Sequence, residues 1–300
     1  MGEKRIFLHS LGDTEGMDVR RLAQNEYPGE LLQIPKPPEE LWIRGTLPSV
    51  DTKYLAVVGS RALTSYGREA CAKLLSGLSG YPISIVSGLA LGADASAHRA
   101  ALAAGLHTIA IPGSGLDDSV IAPRTNLGLA HDILEAGGAL LSEHEATYTP
   151  HAYDFPSRNR IMVGIADAIL MIEAGEKSGT LITARLASEY NRELLCVPHR
   201  MGDVHAFGSH LFLRLGATLV TDPLHILEAL HITPRLEGAE RAVPHLDGIE
   251  ERLYSLLAEP RPRDEIIREL GADASETLTG LVMLELKGLA KEEFGAWRRI

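Results

Sequence analysis

Cysteine is nearly missing from the chain: Cys71 and Cys196 are the two in 300 residues, and neither belongs to a CxxC or CxxH pattern. That excludes a disulfide framework and a thiolate metal site, and both thiols are expected as buried structural groups. Aromatic residues make up 5%, too few for an extended base-stacking platform. Positive charge is also in deficit, with 29 Lys and Arg against 40 Asp and Glu for a net charge of −11. Such a surface repels phosphates at long range, so the chain does not coat polyanions indiscriminately, and any anion site must be a local concentration of donors. No apolar run approaches the length of a membrane span, and the opening MGEKRIFLHS lacks the apolar segment of a secretory signal, so a cytoplasmic protein without a membrane partner is expected. The twelve histidines, among them His144, His151, His199, His205 and His210, show no HExxH or comparable spacing, and no metal is expected. Ser60, Ser87 and Ser114 sit in turns without a GxSxG elbow, so no nucleophilic triad is indicated.

What is present is ample core-forming material. Hydrophobic residues account for 45% of the chain, enough for one large or two unequal domains. Residues 1–47 mix short helical patterns with Tyr27-Pro28-Gly29 and Pro35-Lys36-Pro37-Pro38 and read as a lead-in or cap. Residues 48–232 repeat a grammar of apolar strand, Gly/Ser turn and amphipathic helix, with strand candidates YLAVVGS, ISIVSG, HTIAIPG, GALLSEH, DAILMIEA, ELLCVP and ATLVTD. This predicts an α/β fold whose mostly parallel sheet is covered by helices on both faces. Tyr66 to Leu78, with Ala70, Leu74, Leu75 and Leu78 at helical spacing, exemplifies the connecting helices. Residues 233–246 are rich in Gly, Pro and charge and read as a linker, and residues 247–300 run helix, helix, a turn at Gly271, helix and a short strand pair, the order of a small winged-helix module.

Four Gly/Ser turns follow proposed parallel strands: 59–61 (GSR), 87–94 (SGLALGAD), 112–115 (PGSG) and 173–180 (EAGEKSGT). The carboxyl ends of parallel strands lie along one edge, so the four are expected to line one crevice in which backbone N–H groups and helix N-termini meet an anion. The first turn is not GxGxxG and no acidic residue closes the second strand, which argues against a dinucleotide, and no cofactor is expected. Ser178 and Thr180 offer hydroxyls, Gly179 permits close approach and Lys177 supplies charge; the same residues also suit an ordinary helix cap. Arg158, Asn159 and Arg160 enter the next helix with Phe155 just upstream, and Arg61, Arg158, Arg160 and Lys177 are the cationic candidates. Asp94 and His98, one helical turn apart, read as a local structural pair.

The segments VVGSRALTSYGR, VSGLALGADASAHRAAL, IAIPGSGLD, GALLSEH, FPSRNRI and IEAGEKSGTLITARLASEYNRELLCVP, in that order, resemble the DNA processing protein A family, also called DprA or Smf, over about Tyr27 to Asp222. The resemblance implies an extended Rossmann-like domain that forms a homodimer, binds single-stranded DNA, loads the RecA recombinase during natural transformation and catalyses nothing. On matching positions it implies DNA contacts from Gly59, Ser60, Arg61, Ser87, Gly88, Leu89, Ala90, Phe155, Arg158, Asn159, Arg160, Lys177, Ser178, Gly179 and Thr180. Departures are visible: IAPRTN keeps Pro123 and Asn126 but has Ala122 where the family carries Tyr, and His210 stands where Asn is expected, so no contact from 199–210 is carried over.

Two other readings compete. The architecture is similar to nucleotide-processing enzymes related to lysine-decarboxylase-like phosphoribohydrolases, with Glu173 as acid or base, although EAGEKSGT lacks their PGGxGT. A transcriptional regulator is suggested by the carboxyl-terminal module alone. Its third helix, SETLTGLVMLELKG, carries Glu276 and Glu285 and few basic residues, which favours a partner-binding or dimer-modulating role over duplex reading.

Overall fold

The computed structural model describes residues 18–235, 246, 248–293 and 295–299. These fall into two compact units, 1–234 and 235–300. Most of the linker expected over 233–246 and the first 17 residues of the expected lead-in lie outside the described residues.

In the larger unit the strands are β1 (Arg20–Arg21), β2 (Trp42–Gly45), β3 (Lys53–Val58), β4 (Ile83–Ser87), β5 (His107–Ala110), β6 (Ala139–Ser142), β7 (Ala168–Met171), β8 (Glu193–Cys196) and β9 (Thr218–Leu219). The helices are α1 (Ser65–Ser76), α2 (Ala93–Ala103), α3 (Leu127–Glu135), α4 (Asp154–Ser157), α5 (Asn159–Ile165), α6 (Thr180–Glu189), α7 (Phe207–Arg214) and α8 (Pro223–Ala229). All seven strands expected between residues 54 and 222 are present. They form one nine-stranded sheet, ordered β1-β2-β6-β5-β4-β3-β7-β8-β9, in which the β3 to β9 pairings are parallel. β1 and β2 are added antiparallel beyond β6, with Ile43 opposite Leu141. The lead-in therefore extends the sheet as well as capping it: Leu22, Tyr27, Leu31, Ile34 and Leu41 are buried against one of its faces.

The strands read as continuous apolar runs because both faces are covered. Along β3, Ala56 and Val58 point into the layer made with α5 and α6, while Leu55 and Val57 point into the layer made with α1, α2 and α8, the period-two alternation of a strand. α1 opens on Thr64, whose hydroxyl accepts from Gly67 N–H at 3.0 Å, a side-chain cap on one of the helix's unpaired donors.

Chain order along the sheet reverses at β3: successive strands run outward through β4, β5 and β6 on one side, and through β7, β8 and β9 on the other. The loops after β3 and β7 therefore leave neighbouring strands in opposite directions and open a gap between them, the position where such sheets bind ligands.

His98 and Asp94 do not serve one another as the spacing suggested. His98 Nδ1 bonds Thr108 Oγ1 at 2.8 Å, and Thr108 in turn donates to Ile85 O at 2.9 Å, tying α2 to β4 and β5. Burial, assisted by the Arg158 cation, lowers the His98 pKa to about 3. Between that value and the ordinary 6.5 the unfolded chain binds the extra proton, so stability falls as pH drops through this window, by up to about 1.4 kcal/mol per pH unit. His98→Gln should flatten that acid limb in urea unfolding midpoints taken from pH 7 to pH 4; an equally steep limb would assign the loss to other groups.

The smaller unit comprises α9 (Ile249–Leu256), β10 (Arg261–Pro262), α10 (Arg263–Leu270), α11 (Ala274–Leu286), β11 (Ala290–Glu293) and β12 (Ala296–Arg299). Its three strands pair in the order β10-β12-β11 around a core that includes Leu253, Leu257, Ile266, Leu281, Leu284 and Trp297. Gly271 ends α10 in the left-handed conformation, φ +64°, as a terminating glycine does. This is the expected winged-helix module.

Candidate nucleic-acid interface

The gap at the β3/β7 reversal is a crevice of about 630 Å³. Gly59, Ser60 and Arg61 wall it from the loop after β3; Ala90 from that after β4 and Asp94 from the start of α2; Gly175, Lys177, Ser178 and Gly179 from the loop after β7 and Thr180 from the start of α6; and Phe155, Arg158 and Asn159 from α4, its junction with α5, and α5. The 59–61 turn is fixed to its neighbours through backbone bonds, with Ser60 N–H donating to Glu173 O at 2.9 Å and Ser60 O accepting from Ala93 N–H at 3.0 Å. Ser60 Oγ accepts from Ala62 N–H at 3.1 Å. Across the gap, just before α6, the Ser178 hydroxyl accepts from Thr180 N–H at 3.2 Å and donates to Thr180 Oγ1 at 2.9 Å. Ten residues of α6 thus begin at the crevice wall, bringing a partial positive charge to it.

Two cations stand in the open. Arg61 is exposed and its guanidinium lies 5.8 Å from the Phe155 ring centroid, a cation–π arrangement that holds the side chain at the rim. Lys177 is exposed and makes no ion pair among the described residues.

Arg158 reaches the crevice from below. Only 5% exposed, it donates through Nη1 to Gly88 O and Ile111 O, through Nε to Asn159 Oδ1 at 3.0 Å, and places Nη2 3.5 Å from Asp94 Oδ2. Burial lowers the Arg158 pKa and raises that of Asp94, each partner opposing the other's shift. Asn159 donates to Thr183 Oγ1 at 3.0 Å and so links α5 to α6.

The remaining expected contacts are not brought to the crevice. Arg160 turns away and pairs with Glu143. Ser87 is fully buried and donates to Val57 O at 2.7 Å. Gly88 and Leu89 are buried and outside the lining; Leu89 has φ +58°, a region uncommon for a residue with a Cβ. Asn126 holds that turn by donating to Leu89 O at 2.8 Å and Ala90 O at 3.2 Å, which gives the retained IAPRTN asparagine its role. The PGSG turn also stays outside the lining, so three of the four Gly/Ser loops converge rather than four.

Sequence reasoning missed Val204 and His205, which complete the wall from the 199–210 loop. That loop is fastened to the one after β7, with Ala174 N–H donating to His205 O at 3.1 Å and Gly208 N–H to Ala174 O at 2.7 Å. His205 falls in the 199–210 segment whose departure at His210 left it without an expected contact. Among the described residues there is no group of three metal-ligating side chains and no helix long and apolar enough to cross a membrane. Glu173, the acid or base of the enzymatic alternative, is fully buried; it accepts from Thr64 N–H at 3.1 Å and from the Thr64 hydroxyl, with His199 Nε2 3.7 Å away.

Residues 18–231 match the profile of DNA recombination-mediator protein A, and residues 237–295 that of the DprA winged helix domain. Protein Smf of Escherichia coli is 37% identical over 282 residues, covering 91% of this chain and 75% of its own. The crystal structure of DNA processing protein A from Streptococcus pneumoniae aligns with a TM-score of 0.65 at 34% identity, over 71% of this chain and 75% of that one. The Helicobacter pylori protein, whose structure was described for its single-stranded DNA binding mode, aligns with a TM-score of 0.64 at 29% identity, over 72% and 96%. A Rossmann-like sheet reversing at an anion-suited crevice, joined to a winged-helix module, agrees with these likenesses, and the chain belongs to the DNA recombination-mediator protein A family, DprA/Smf.

Proposed function

We propose that the chain binds single-stranded DNA by its sugar-phosphate backbone at the β3/β7 crevice and acts as a recombination mediator. In this reading it is a cytoplasmic homodimer that protects incoming DNA during natural transformation and loads RecA onto it. The observation that carries the proposal is the meeting of the 59–61 turn, the α6 N-terminus and the two exposed cations Arg61 and Lys177 in a chain of net charge −11. A local donor cluster in an acidic molecule suits one threaded strand better than a duplex lying along a broad basic face. Family membership and the single-strand binding described for the Helicobacter pylori relative support the same reading. The enzymatic alternative has no observation in its favour, since Glu173 is enclosed and occupied by Thr64.

Oligothymidine and mixed-sequence strands should bind with similar affinity, and log K should fall linearly with log salt by about 0.7 for each neutralised phosphate. Fluorescence anisotropy over a salt series checks both; salt-insensitive binding, or none, would refute the crevice. RecA loading is tested separately, by whether the protein shortens the lag before RecA assembles on a strand already covered by single-strand binding protein.

For the carboxyl-terminal module the proposed role is contact with a partner. α11 carries no Lys or Arg, whereas reading a major groove needs cations and donors on the inserted helix. A chain ending at residue 235 should retain single-strand affinity within about twofold, well under 1.4 kcal/mol, and the full chain should show no duplex preference. Duplex binding that disappears on truncation would restore the regulator reading.

A further inference from the structure

Aromatic residues are scarce in this chain, yet Tyr148, Tyr153 and Phe155 fall within eight positions, together with His144 and His151. Their rings form a ladder. His144 stacks on Tyr148 with centroids 3.9 Å apart and planes 14° apart, Tyr148 meets His151 edge-on at 6.2 Å, and His151 lies parallel to Tyr153 at 5.5 Å and 12°. The inner end is partly buried, whereas His151 is exposed and Tyr153 is 67% exposed.

The ladder is fixed from beneath. Asp154, 4% exposed, accepts from His151 N–H at 2.7 Å and Tyr148 Oη at 3.0 Å. The PGSG turn, absent from the crevice lining, is engaged here: Gly115 N–H donates to Tyr148 O at 2.9 Å, and a Cβ on Gly115 would lie 2.2 Å from Glu145 O. No side chain fits between those two backbones. An exposed aromatic ring alone means little, but a parallel pair already held in orientation meets a flat ligand at small entropic cost. The segment runs directly into Phe155 and Pro156, which wall the crevice.

We infer that the outer rings of Tyr153 and His151 are a shelf on which bases stack while the phosphates of the same strand occupy the crevice. The inference rests on the single-strand reading above. It is compatible with the low aromatic content, which argues only against an extended stacking platform and not against a local pair of rings.

The test uses the full chain in anisotropy titrations with an oligothymidine and with a length-matched strand lacking bases. Tyr153→Ala should weaken oligothymidine binding roughly 5- to 150-fold, the range for one lost stacking partner, and leave the abasic affinity unchanged. Tyr153→Phe should bind both strands as the unaltered chain does. Equal oligothymidine affinity for Tyr153→Ala and the unaltered chain would overturn the shelf while leaving the crevice intact. A loss in Tyr153→Phe as large as in Tyr153→Ala would also overturn it, by assigning the contact to the hydroxyl. If the unaltered chain binds neither strand, crevice and shelf fall together.

Discussion

Arg158→Met is expected to destabilise the larger unit by about 3–5 kcal/mol, the cost of breaking a buried charge pair from one side. The substitution keeps most of the volume but removes the donors to Gly88 O and Ile111 O and the cation beside Asp94, which keeps the Ala90 N–H at 3.3 Å. Two buried carbonyls lose a donor, and a carboxylate that is itself only 7% exposed loses its counter-charge, in one step. The effect should depend on pH in a definite direction. Burial already raises the Asp94 pKa and the arginine opposes that rise, so its removal shifts the pKa further upward. The folded variant then holds a proton that the unfolded chain releases as pH increases, and the deficit relative to the unaltered protein should be larger at pH 8 than at pH 5. Adding Asp94→Asn should recover part of the loss, because no charge is then stranded. Urea unfolding at the two pH values measures all three variants; a pH-independent deficit, or additivity of the two substitutions, would show that Arg158 and Asp94 are not coupled.

Arg61→Ala with Lys177→Ala should leave the fold intact, since both side chains are exposed, and reduce single-strand affinity on the order of 100-fold or more. Hydrogen bonds to charged groups contribute about 1.5–3 kcal/mol each, and two such contacts give this magnitude. The slope of log K against log salt should become shallower by about 1.4, two phosphates at 0.7 each. Arg160→Ala provides the internal contrast: its partner is Glu143, outside the crevice lining, so the slope should not change. If Arg160→Ala and the double variant shift the slope equally, the strand does not follow the crevice.

The central sheet was legible because its strands are buried on both faces and leave unbroken apolar runs such as YLAVV. β1 and β2 were not: two arginines and the four residues WIRG carry no periodic signal, and their strand character comes from pairing, β2 with β6 and β1 with β2. The crevice was legible through strand order, since Gly/Ser turns at the carboxyl ends of β3, β4 and β7 meet at one place. The PGSG turn misled because small residues permit the approach of a neighbouring backbone as readily as that of an anion, and Gly115 serves the former. Arg158 and Arg160 were grouped as a pair, yet residues two apart on a helix point about 200° from each other. One is therefore packed under the crevice and the other faces Glu143.

The two margins of the large sheet have a bearing on how copies of this protein meet. Among the described residues each margin is a strand of only two residues, Arg20–Arg21 at one and Thr218–Leu219 at the other. Neither offers enough unpaired peptide for a second chain to zip onto, and the arginines oppose such an approach by their charge and bulk. Self-association by continuation of the large sheet is thereby discouraged, and with it that route to fibrillar aggregates. Contact between copies through the larger unit is then left to side chains on its helices and loops, where single substitutions can adjust it without disturbing the architecture.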